Sequence, residues 1–300
     1  MKMAYHNPVL LKETVDGLDI KEDGVYVDVT FGGGGHSREV LNRLGKNGKL
    51  IAFDQDKDAL LNTIDDTRFT LINENFRYVK RFLRFHGVKS VDGILADFGV
   101  SSHQFDVADR GFSTRFEANL DMRMNQQDVL SAYNVVNEYD EVKLRKVFWE
   151  YGELRQAPVL ARTIASERKA EDIKTSEQLK HVLKKHLPPR HENKILAQIF
   201  QAIRIEVNQE IEVLKFFLTQ TPELLNKGGR LSCISYHSLE DRLVKRFMRS
   251  GLFEGEPEKD VFGNIDVPLK KIGKLIVPTQ DEIQLNNRAR SAKLRIAERL

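Results

Sequence analysis

Four consecutive glycines, Gly32 to Gly35, follow an apolar run from Val25 to Phe31 and precede a helical segment from Ser37 to Leu44. Such a run is poor material for a strand or helix interior, because each glycine loses much conformational entropy on ordering. It suits a backbone that turns sharply and lets a ligand approach with no Cβ in the way. A second strand pattern, Lys49 to Phe53, ends in Asp54. In a βαβ nucleotide fold that position faces ribose hydroxyls. The pattern therefore predicts a site for a nucleoside-containing cofactor.

Two cofactors compete for it. The dinucleotide fingerprint G-x-G-x-x-G needs a third glycine at position 37 or 38, where Ser37 and Arg38 stand. Asp28, inside the first strand, would repel a pyrophosphate but attract the free ammonium of S-adenosylmethionine. The balance favours S-adenosylmethionine over a nicotinamide-dependent oxidoreductase.

Strand and helix patterns alternate through the first hundred residues, with further strands at Phe69–Ile72 and Val91–Phe98. This is the rhythm of a doubly wound, mostly parallel sheet. From about 106 to about 202 only helical periodicity is found. Thr175 and Gln178 have capping-box spacing, and Leu179, Val182, Leu183 and Leu187 form a stripe ended by Pro188-Pro189. A following helix carries Ile199, Ile203, Val207, Ile211, Leu214 and Leu218 on one face. Strands resume at Arg230–Tyr236, Leu269–Val277 and Ser291–Ile296. The expected architecture is α/β: a Rossmann-like core formed by 1–105 and 203–300, with an all-helical insert at 106–202.

The 300 residues carry a net charge of +3, so only local clusters can argue for an acidic partner. Basic residues mixed with aromatics occur at 76–85 and 240–249, and a third basic group lies at 287–295; basic groups near aromatics suit phosphate contact and base stacking. The lone cysteine, Cys233, excludes an internal disulfide framework and a cysteine-rich zinc site. No segment reads as a signal peptide or membrane span, and a cytoplasmic location is expected.

Asp97 closes the fourth strand pattern, where a substrate would meet the cofactor's methyl group. It could hold a nucleophilic amine, cap the next turn or bond the cofactor's adenine. His36, His103 and His237 fall at predicted carboxyl ends of strands. Contact with cofactor or phosphate and a structural role stand equal for them, and no metal is expected. Asp97 and His237 are the catalytic candidates.

With these residues in place, the chain resembles the ribosomal RNA small subunit methyltransferase H (MraW) family nearly end to end. The resemblance runs through His6–Leu11, Thr30–Ser37, Asp97–Ser102, Leu120–Met124, Phe200–Asn208, Ile234–Arg242 and Arg288–Arg295. It implies an S-adenosylmethionine-dependent enzyme that methylates the N4 amine of a cytidine in small-subunit (16S) ribosomal RNA. The substrate would be that RNA or an assembled small subunit, and monomer and homodimer both stay open. Cofactor contacts carried over by the resemblance fall on Gly34, Gly35, His36, Asp54, Phe76, Asp97 and Gln104. His103 and Asn287 stand where the family pattern has proline, and Tyr236 where it has phenylalanine. The Asp/Ser-Pro-Pro-Tyr/Phe motif of many N4-cytosine methyltransferases is replaced by Asp97-Phe98-Gly99-Val100, so Tyr236 and Phe98 are the candidates to clamp a base. The alternative is a ribosome-assembly or RNA-binding factor that holds S-adenosylmethionine without catalysis.

Overall fold

The computed structural model describes residues 8–258, 262 and 265–300, so His6 and Asn7 of the first motif lie outside the described residues. In chain order the helices and strands are α1 (Leu11–Asp16), β1 (Val25–Asp28), α2 (Gly35–Arg43), β2 (Lys49–Phe53), β3 (Phe69–Ile72), α3 (Val79–Phe85) and β4 (Val91–Asp97). Next come α4 (Ser102–Asp106), α5 (Ala132–Glu138), α6 (Glu141–Glu150), α7 (Ala157–Glu167), α8 (Ser176–Leu183) and α9 (Glu192–Asn208). The chain closes with α10 (Glu210–Leu224), β5 (Leu225–Ser235), α11 (Ser238–Ser250), β6 (Leu269–Ile276), α12 (Gln280–Leu285) and β7 (Lys293–Arg299).

The strands form one sheet in the order β3-β2-β1-β4-β5-β7-β6. β1 to β5 are parallel, and β7 runs antiparallel to both of its neighbours. Val27, Ile51, Ile94, Leu231 and Cys233 are buried because helices cover both faces of the parallel part. The order reverses at β1, which pairs with β2 on one side and β4 on the other. In open α/β sheets ligands bind beyond the carboxyl ends of the strands at such a reversal. Here those ends carry Asp28 and Asp97 on adjacent strands, and β2 leads directly into Asp54.

The chain divides into two compact units, residues 1–99 with 211–300, and residues 100–210. Each has its own core. Phe53, Leu83, Phe217, Leu231 and Val244 belong to the sheet unit, and Phe148, Leu160, Leu179, Ile199 and Ile203 to the helical one. The division falls a few residues from the boundaries expected at 105/106 and 202/203. The cause is α9, whose Ile203 and Val207 complete the helical core, so the chain cannot change units before that helix ends. Its end also corrects the expectation of one helix through Leu218: Gln209 adopts φ +51°, and α10 starts afresh at Glu210. A left-handed residue breaks the helical hydrogen-bond ladder whatever the apolar periodicity on either side.

Within the helical unit, residues 100–210 contain no strand, only an isolated bridge between Asn119 and Thr175. Thr175 and Gln178 form the expected capping box. That helix stops at Leu183 and tightens into a 3-10 turn, ahead of the two prolines. Pro158 sits in the first turn of α7, where a missing N–H costs nothing. The buried Asn208 amide donates to the Met122 and Arg204 carbonyls at 2.8 Å, and its oxygen accepts from Met124 N at 2.7 Å. Those bonds join the Leu120–Met124 motif to the end of α9 and satisfy a backbone that turns through Met122 at φ +59°.

Candidate active site

The glycine turn is built by its neighbours before any ligand is considered. Gly32 (φ +52°) and Gly34 (φ +74°) occupy the left-handed region that favours glycine. Gly32 N donates to Asp54 Oδ2 at 2.7 Å, its carbonyl accepts from Asn62 Nδ2 at 3.0 Å, and the Gly33 carbonyl accepts from Arg38 Nη1 at 2.6 Å. Gly34 caps α2, and Gly35 begins it. A Cβ on Gly35 would lie 2.1 Å from Pro8 Cγ. That glycine is therefore required by close packing of the chain's own N-terminal segment, a reason beyond the sharp turn and ligand approach expected of the run.

Both acids flanking the turn are engaged. Asp28 accepts from Thr30 N at 3.0 Å and from Ser37 Oγ at 2.7 Å, so its carboxylate ties strand, turn and helix together. The ammonium-attracting role read from the sequence is thus overlaid by a structural one. The D-x-T spacing of an Asx turn was the signal for it. Asp54 accepts from Gly32 N and, at 2.9 Å, from Asp56 N. Burial pushes both carboxyls up to about 6, against the pull of those hydrogen bonds.

Asp97 stands at the end of β4 with a partly exposed side chain. Its backbone N–H donates to Thr30 Oγ1 at 2.6 Å, a partner that sequence reasoning missed. Tyr236 follows β5, which pairs Ile234 with Asp97, and its hydroxyl donates to Asp97 Oδ1 at 2.8 Å. Burial is the main cause that raises the Asp97 carboxyl to about 7; the Tyr236 bond opposes it, and the charges of Asp28 and Glu240 add to it. His36 is buried and lies with Nε2 3.1 Å from the Val9 carbonyl and Nδ1 3.8 Å from Asp97 Oδ2. A carbonyl only accepts, so Nε2 carries the hydrogen. Burial lowers this imidazole to about 4, which leaves it neutral at pH 7.

Phe76, just past β3, packs its ring 5.3 Å from Phe217 and 6.1 Å from Phe98. Phe98 is buried in the sheet unit's core, so of the two candidate base clamps it is the one committed to packing. His237 is the N-cap of α11 and forms a capping box with Glu240, a histidine version of the S-x-x-E pattern. The fold thereby gives it a structural task. Gln104 belongs to the helical unit, where its side-chain oxygen accepts from Ser101 N at 3.0 Å in the capping box of α4. His103 lies on the same short helix. Gly34, Gly35, His36, Asp54, Phe76 and Asp97 all belong to the sheet unit, at or just beyond strand ends.

The chain matches the model of the MraW methylase family over residues 3–300. The chain belongs to the MraW methylase family. It is 73% identical to the ribosomal RNA small subunit methyltransferase H of Christiangramia forsetii over 298 residues, 99% of both chains. The protein of that name from Flavobacterium johnsoniae is 71% identical, again over 99% of both chains. The one from Bacteroides thetaiotaomicron is 52% identical over 99% of this chain and 98% of its own. As a methylase of this family the chain uses S-adenosylmethionine as methyl donor. The donor set fits that group: carboxylate acceptors follow β2 and end β4, and an aromatic ring follows β3. Among the described residues no helix is long and apolar enough to cross a membrane.

Proposed function

We propose that this methylase acts on the N4 amine of a cytidine in small-subunit ribosomal RNA, with Asp97 as the residue that meets the amine. The name shared by the relatives supports a small-subunit ribosomal RNA substrate. The observation that carries the N4 reading is the Asp97 carboxylate at the sheet's reversal, raised to about 7.

Bound S-adenosylmethionine supplies an electrophilic methyl group on a sulfonium that leaves as a neutral thioether. The cytosine amine is a poor nucleophile because its lone pair is conjugated with the ring. Asp97 accepts one of its N–H bonds, which localises the lone pair and stabilises the positive charge that develops on nitrogen. As the N–C bond forms, the nitrogen sheds a proton and the carboxylate takes it, at a proton affinity suited to neutral pH. Asp54 would hold the ribose hydroxyls, and Phe76 would pack beside the adenine. The helical unit, residues 100–210, contributes RNA recognition.

The basic clusters do not support RNA contact equally. In the third, Arg295 forms two bonds to Asp241, at 2.7 and 3.2 Å, and Lys293 approaches the same carboxylate at 3.4 Å. The first keeps an exposed face on α3, with Arg81, Arg84 and Phe85 in solvent and Arg77 stacked on Tyr78. That face supports contact with RNA phosphates and bases.

The test is methylation of small-subunit RNA from cells lacking the modification, with labelled S-adenosylmethionine, followed by digestion to nucleosides. Label on N4 of cytidine is expected; label on a carbon or a ribose oxygen refutes the reaction, and binding without transfer favours a non-catalytic assembly factor. Asp97→Asn should lower turnover by about 10²–10³-fold, the size of losing one preorganised electrostatic contact. Its affinity for S-adenosylmethionine should fall much less. An equal fall in both would make Asp97 a cofactor ligand.

A further inference from the structure

The two oxygens of Asp97 are treated differently by the protein. Oδ1 accepts the Tyr236 hydroxyl at 2.8 Å. Oδ2 faces His36 Nδ1 at 3.8 Å, and that nitrogen has only a lone pair to offer because Nε2 carries the hydrogen. Among the described residues no hydrogen-bond donor reaches Oδ2. The phenol is held at its other end too: Tyr236 N donates to Glu240 Oε2 at 2.9 Å, and the ring packs against the Val9, Ile234 and Leu294 cluster.

We propose that Tyr236 is a positioning residue of the methyl-transfer site, its hydroxyl clamping Oδ1 of Asp97 so that Oδ2 is presented, ionised, to the incoming amine. The inference rests on the reading of Asp97 as the amine's acceptor. The surroundings explain why one hydroxyl matters. Asp28 of β1 and Glu240 of α11 place negative charge near Asp97, Glu282 of α12 faces Tyr236, and His36 of α2 is neutral. The charges of Asp28 and Glu240 favour a proton on the Asp97 carboxyl. The phenol is the side-chain donor that opposes them, and hydrogen bonding to the charged form stabilises it. Burial first, then the charge of Asp97 and the bond to it, and the charges of Glu240 and Glu282 push the Tyr236 hydroxyl well above its ordinary range, so it remains a donor throughout the working pH.

Tyr236→Phe keeps the ring and removes the donor. Methylation of small subunits lacking the modification should then follow a kcat/KM profile whose acid limb moves up by about one pH unit. The variant should be about tenfold slower than wild type at pH 6.5 and within about twofold at pH 9. S-adenosylmethionine affinity by calorimetry should stay within about twofold, which also shows that the variant is folded. A readout independent of turnover is the carboxyl carbon resonance of Asp97 in protein labelled at aspartate, identified by its loss in Asp97→Asn. Its titration midpoint should rise by about the same amount in Tyr236→Phe. Identical midpoints and profiles in the two proteins overturn the proposal, and so does a loss of rate that is equal at every pH. If Asp97→Asn itself methylates at the wild-type rate, the reading of Asp97 fails instead, and the two failures are told apart.

Discussion

At the scale of single residues the site is a set of carboxylates kept where they are uncomfortable. Asp28 and Asp54 titrate near 6 and Asp97 near 7, each raised by burial above the unfolded value. For such a group the folded state binds the proton more tightly than the unfolded one. Its contribution to stability is complete below pH 4 and is lost as pH rises through the folded value. His36 runs the other way: lowered to about 4, it contributes stability that is present above its unfolded value of 6.5 and is lost as pH falls through 4. The prediction at this scale is that Asp97→Asn, although slower in turnover, is more stable than wild type above pH 7 by about 1–2 kcal/mol, discounted for the partial exposure of the side chain. The difference should shrink towards zero below pH 4. Urea unfolding at pH 4 and pH 8 measures it, and an equal gap at both values would rule out a charge effect. All three acids were legible in the sequence because they sit at strand ends. Tyr236 and Thr30, which hold Asp97, were not legible as its partners.

Among the elements, local signals and long-range ones separate cleanly. The capping box at Thr175, the N-cap at Thr279, the Pro158 helix start and the first four strands follow from residues a few positions apart. The break between α9 and α10 does not, because the apolar face continues across it. Asn208 shows what settles it. Its amide stitches Met122, Met124 and Arg204 together from inside the helical core, and this fixes where α9 must end. Asn208→Ala would leave the Met122 carbonyl and the Met124 N–H buried without this partner, at a cost of about 2–4 kcal/mol. Thermal and urea unfolding of that variant check the figure. A change below about 0.5 kcal/mol would mean that the motif is held by other contacts.

For the whole molecule, the two units differ in how the chain builds them. The sheet unit needs both ends of the chain, since β5 and β7 pair beside β4 only after residue 225. The helical unit is one continuous stretch with a core of its own. Residues 100–210 produced alone should therefore give a helical circular dichroism spectrum and a cooperative melt, whereas residues 1–99 alone should not fold. A structureless 100–210 segment would sink that expectation. The chain's single tryptophan lies on α6 in this unit, 59% exposed beside the exposed Arg145 and Lys146. Its fluorescence thus offers a direct reading of RNA contact by the helical unit.

What the sequence determined by itself is whatever depends on neighbours along the chain. The glycine turn, the acids at the ends of β1, β2 and β4, the rhythm of strands and its interruption by helices are all of this kind. Chain neighbours dictate allowed backbone angles, caps and amphipathic faces, and these survive in any fold that the chain adopts. Only the tertiary structure decided that Tyr236 meets Asp97 across 139 positions, that Pro8 fills the space above Gly35, and that His237 caps a helix. Those contacts depend on strand order and register. Sheet pairing sets β5 beside β4, and that pairing draws its free energy from burial spread over the whole core instead of from any local pattern.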